Sequence, residues 1–118
     1  MKKLKIVVIG ETCVDKFIYC KIDRLSPEAP VPVLQPLTTE NNAGMSGNTV
    51  ANIKALAPES QVIHFSNLKQ ITKTRYVEDK TNHMFLRVDE GDNSIEPFKW
   101  SDDYKQFLEE ADVVIVSD

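Results

Sequence analysis

The chain has 118 residues, 42% of them hydrophobic and 27% charged, with a net charge of −4. That balance suits one modest globular core and excludes a disordered chain. With no basic cluster and no apolar run near the roughly 20 residues that cross a bilayer, it also argues against nucleic acid and membrane as partners.

In chain order, Met1 to Lys5 is basic, but the apolar stretch that follows ends after Ile9, too short for a secretory signal. Lys5-Ile6-Val7-Val8-Ile9 is a continuous apolar run, the pattern of a central parallel strand covered on both faces. Phe17 to Cys20 and Val31 to Leu34 read as shorter, more exposed strands flanking a turn-rich stretch. The prolines in Ser26-Pro27-Glu28-Ala29-Pro30-Val31-Pro32-Val33 donate no backbone hydrogen bonds, which suits an extended edge segment after a turn. Ala43-Gly44-Met45-Ser46-Gly47 is a small-residue loop opening a helix that Ser46 or Asn48 can cap. Val50, Ile53, Leu56 and Ala57 fall on or near one face of that helix, and Pro58 ends it.

Gln61 to Phe65 is a second core-strand candidate. Thr72–Val77 and Met84–Val88 read as two strands joined around Asp79 to Asn82. Ser101 caps a further helix carrying Tyr104, Phe107, Leu108 and Ala111 at helical spacing. Asp112 to Asp118 reads as another buried strand. Cys13 and Cys20 have neither metal-site nor redox spacing, which predicts reduced thiols and a cytoplasmic location. His64 and His83 are isolated, and no set of side chains has the spacing of metal ligands.

Three pieces in order resemble the start of the ribokinase-like (PfkB) sugar kinases: the strand running into Gly10-Glu11-Thr12-Cys13-Val14-Asp15, the Ser-Pro-Glu-Ala-Pro-Val-Pro-Val segment, and the loop from Ala43 to Asn52. The likeness is strongest to bacterial heptose 7-phosphate kinases, which serve ADP-heptose biosynthesis. These also share a Thr-Lys-x-Arg strand, here Thr72 to Arg75, and a later Arg-x-Asp, here Arg87 to Asp89. The resemblance implies an α/β chain forming the N-terminal part of a ribokinase-like three-layer fold with a small β lid. Core elements are expected at about 1–14, 42–70 and 98–118, and lid strands at about 15–40 and 71–90.

The resemblance also implies site roles. Asp15 is expected to accept hydrogen bonds from sugar hydroxyls, Gly44 to let backbone approach the ligand, and Asn48 to contact sugar. Lys73 and Arg75 are expected at a substrate phosphate, with Gly10, Asn52, Arg87 and Asp118 as further candidates. On residues alone, Asp15 reads better as a surface carboxylate at a strand–turn junction, while Lys73 and Arg75 read equally as solvent-facing charges with Arg87 paired to Asp89. The family's second loop glycine is replaced here by Ala43 or Met45, depending on register. Between Leu56 and Ile71 the usual Gly-x-Asp-x-x-Gly element and its helix are missing.

The implied chemistry is ATP- and Mg²⁺-dependent phosphoryl transfer to a hydroxyl of a sugar phosphate, and the implied assembly is a homodimer through lid strands. The family's Gly-Ala-Gly-Asp motif does not occur, so no catalytic residue is expected in this chain, nor most of the nucleotide site. The expectation is therefore an N-terminal portion of such a kinase with little turnover alone. The alternative is a shortened, non-catalytic relative serving as a sugar-binding or dimerisation module. A dinucleotide-binding reading fails because Gly10 stands alone where that fold's phosphate turn needs three glycines.

Overall fold

A computed structural model describes residues 3–94, 96 and 98–117. Its seven strands form two sheets that divide the chain into a core and a projecting lid. The core sheet is parallel, with β1 (Lys5–Ile9) between β4 (Gln61–Phe65) and β7 (Val113–Val116). Alternation along β1 turns Ile6 and Val8 to one face and Val7 to the other. On the first face they pack with Val62, Ile115 and the helix residues Val50 and Ile53. Against the second face lies α2 (Lys105–Glu110), with Phe65 packed among the rings of Phe98, Tyr104 and Phe107 at centroid separations of 4.7–6.0 Å. A helix on each side of a parallel sheet makes the three layers, and burial on both faces explains why β1 reads as an unbroken apolar run.

The lid sheet has the order β3-β2-β5-β6, from β2 (Thr12–Lys21), β3 (Gln35–Met45), β5 (Thr72–Glu78) and β6 (Met84–Glu90). The β2–β5 pair is parallel and the two outer pairs are antiparallel. Only Gly10 and Glu11 separate β1 from β2, and β3 runs directly into α1 (Ser46–Leu56). The radius of gyration is 19.0 Å, against about 13.5 Å for a compact chain of this length. The lid stands out from the core.

Several expectations are corrected. Val31 to Leu34 form no strand beyond a single bridge from Leu25 to Pro32; the prolines leave too few donors, and the segment closes on itself through Ser26 N–H to Val31 O and Val33 N–H to Arg24 O. The strand begins instead at Gln35 and continues through the polar residues to Met45, so the lid sheet takes in residues expected to form a loop. Neither Ser46 nor Asn48 caps α1, because the helix starts at Ser46, with Met45 before it at φ 56° and ψ −130°. Leu56 is 73% exposed rather than packed. Ser101 does cap as expected, accepting from Asp103 N–H, but of a short 3₁₀ turn that precedes α2. Strand β7 was expected to be buried; Val113, Val114 and Val116 are all exposed on the sheet's outer edge, Val116 at 76%.

Candidate functional site

The candidate site lies where core gives way to lid. In open α/β sheets ligands gather at the carboxyl ends of parallel strands, and β1 ends there at Ile9. Gly10 follows, and a side chain on it would overlap the Ser117 carbonyl. Its N–H donates to Phe65 O and its carbonyl accepts from the Ser46 hydroxyl at 2.9 Å. Gly10 is thus committed to tying the three strand ends together. Ser46 Oγ also lies 2.8 Å from His64 Nε2. With the hydroxyl hydrogen on Gly10, the imidazole must be the donor, which assigns the Nε2-protonated neutral ring. Burial, reinforced by Lys54, holds the His64 pKa below its ordinary value.

A cleft of about 430 Å³ opens between β2, β3 and the start of α1, with Asp15, Asn42, Gly44, Met45 and Asn48 on its walls. Asp15, Gly44 and Asn48 therefore share one cavity. Asp15 is positioned by pairing with Asn42 on β3 and Lys73 on β5. A Cβ on Gly44 would collide with Asp15 Oδ2 and with Cys13 Sγ, so this carboxylate sits as it does only opposite glycine. The neighbouring Cys13 thiol is pushed up in pKa by burial and then by the Asp15 charge, which keeps it protonated and unreactive.

The expected phosphate cations are arranged unequally. Arg75 donates from Nη1 to Asp15 Oδ1 at 2.9 Å, and its guanidinium lies 5.1 Å from the centre of the Phe17 ring. This leaves Oδ2, on the Gly44 side, as the carboxylate oxygen that Arg75 does not occupy. Arg87 grips Asp89 through two hydrogen bonds of 2.7 and 3.0 Å, which lower the Asp89 pKa and raise that of Arg87. Among the described residues, Lys73 has no carboxylate within 4.0 Å in an ion pair, although it sits in register between Asp15 and Asp89. Asn52 is exposed, one helical turn past Asn48 and off the cleft walls. Asp118 lies outside the described residues.

Three site residues were not picked out from sequence. Asn42 escaped because its strand looked like polar loop. Phe17 was read only as strand, and its alternation with Asp15 on β2 was the available signal. Met45 was one of two residues that could replace the second loop glycine; its positive φ assigns that place to Met45.

Comparison with known proteins agrees with this architecture. No family model matches the chain. The bifunctional protein HldE of Methylococcus capsulatus is 25% identical over 140 residues, covering 97% of this chain and 30% of its own. HldE of a Caulobacter species is 28% identical over 141 residues, with 96% and 28% covered. Both alignments are longer than this chain, so each relative carries residues that it lacks. The chain spans under a third of the length of these relatives. Among solved structures, a carbohydrate kinase from Agrobacterium tumefaciens superposes with a TM-score of 0.55 at 14% identity, covering 98% of this chain and 45% of that one. The fold is therefore that of a carbohydrate kinase. The chain is thus similar in sequence to HldE along nearly its whole length, and its fold is that of the ribokinase-like carbohydrate kinases.

Proposed function

We propose that this chain is the sugar-binding portion of an ATP-dependent carbohydrate kinase whose substrate is a heptose phosphate or a similar sugar phosphate. The observation that carries the reading is the shared cleft of Asp15, Gly44 and Asn48. Asp15 Oδ2 accepts from sugar hydroxyls while Arg75 holds Oδ1, and each such charge-assisted hydrogen bond contributes about 1.5–3 kcal/mol. The Asn48 amide adds a second directional contact. Lys73 and the remaining N–H groups of Arg75 supply positive charge for the phosphate already on the substrate. The two buried free thiols, Cys13 and Cys20, accord with a cytoplasmic setting.

The reading implies ATP and Mg²⁺. Among the described residues no group of three His, Cys, Asp or Glu side chains is arranged to hold a metal ion. The part of these residues in the reaction is to bind and orient the sugar. Calorimetric titration of the chain with sedoheptulose 7-phosphate tests this. Saturable binding is expected, weakened about 30-fold or more in Asp15→Asn; absence of binding, or equal binding by the variant, would overturn it.

A second reading, a dimerisation module paired through its lid strands, is favoured by one observation. Met84, Phe85 and Leu86 on the outer strand β6 are all about half exposed, and an open apolar edge invites pairing with another copy. Light scattering of the chain with and without sugar phosphate separates the two, since a pure assembly module associates and ignores the sugar.

A further inference from the structure

Two hollows meet at Met45. One is the cleft bearing Asp15 and Asn48. The other, of about 460 Å³, lies over the carboxyl ends of β1 and β7 and is lined by Gly10, Glu11, Val116 and Ser117. Among the described residues, Met45 is the one that lines both. Its backbone, at φ 56° and ψ −130°, suits glycine and works against any side chain. The position is also fixed from both sides: Met45 pairs with Thr12 across the lid sheet, and the next N–H, that of Ser46, donates to Glu11 O at 3.0 Å. The residue that lines both hollows therefore carries a flexible thioether although the backbone there favours a residue with none.

We infer that Met45 determines ligand size. Its side chain closes the passage from the Asp15 cleft to the Gly10–Ser117 hollow and restricts the cleft to a single sugar unit with its phosphate. With glycine at position 45 the partition is bare backbone, and the two hollows form one longer trough that admits a second sugar ring. This inference rests on the reading of the cleft as a sugar site.

The experiment is calorimetric titration of the full chain, M45G and M45L with a monosaccharide phosphate, sedoheptulose 7-phosphate, and a disaccharide phosphate, trehalose 6-phosphate. The wild-type chain is expected to favour the monosaccharide at least 20-fold. In M45G the ratio of disaccharide to monosaccharide affinity rises at least 10-fold, and M45L keeps the wild-type order. Wild-type binding with an unchanged ratio in M45G, or an equal shift in M45L, overturns this inference alone. Failure of the wild-type chain to bind either probe overturns the sugar-site reading and this inference with it. M45G should also melt about 4 °C higher, because glycine relieves the backbone; a lower midpoint would overturn the backbone assignment on which the inference stands.

Discussion

The core and the lid are both sheets, yet they are held together differently. In the core, β1 is enclosed by a strand on each side and a helix on each face, so Val7 and Val8 are almost wholly removed from water. The lid spreads four strands with no helix of its own, and its outer strands β3 and β6 are exposed along nearly their whole length. Its order comes from backbone pairing, a few buried residues such as Cys20, Thr74 and Val77, and charge pairs on the Asp15 face. The core is fixed by exclusion of water, whereas the lid presents polar groups on a frame of strands. The region that would touch a ligand is the one least able to hold its own shape, and so depends on its junction with the core.

Core truncation gives the largest expected effect. Val8→Ala removes two methyl groups from a fully buried site and should cost about 2.5 kcal/mol. That lowers the thermal midpoint by roughly 10 °C. Val77→Ala, at a buried lid position, should cost less than half as much. Equal losses in calorimetry would show that the lid has a core of its own and break the contrast.

An intermediate effect is expected from Arg75→Lys. The substitution keeps the charge but loses the planar donor that fits Asp15 and faces the Phe17 ring. We expect a loss of about 1 kcal/mol in stability and about fivefold in sugar-phosphate affinity. An unchanged affinity would mean that Asp15 needs no positioning from the lid.

The smallest effect concerns pH. Because the folded-state pKa of His64 lies below its usual 6.5, the unfolded chain takes up this proton first as pH falls. The stability linked to His64 is therefore complete above about pH 6.5 and drains away as pH drops from there toward the folded pKa, with a slope of at most about 1.4 kcal/mol per pH unit. In His64→Gln that dependence should flatten; identical midpoint-versus-pH curves for the two proteins would remove His64 from the account.

The same contrast decides how much could be read from the chain. Ile6 to Ile9 and Val62 to Phe65 carry their burial in their composition, so the core strands were legible, as were β5 and β6 from their β-branched and aromatic content. Strand β3 was not, because Thr38-Thr39-Glu40-Asn41-Asn42 has the composition of a loop and becomes a strand only by pairing along β2. Val31 to Leu34 shows the converse, an apolar stretch whose prolines cannot supply a ladder. In β7, an apolar run correctly signalled a strand but wrongly signalled burial, since Val116 faces solvent at the sheet edge. For the cleft, the motif singled out Asp15 and Asn48, but only backbone angles could choose between Ala43 and Met45. The pairing of Arg75 with Asp15 spans 60 residues and left no local trace.

The short joint at Gly10 and Glu11 has a mechanical consequence. The outgoing chain crosses to the lid there, and the returning chain crosses back at Met45, whose neighbour Ser46 is bonded to both joint residues. Outgoing and returning crossings thus sit side by side like the two knuckles of a door hinge. Any swing of the lid about that axis is felt first at the peptide planes beside the cleft and only afterwards at the distant β6 rim.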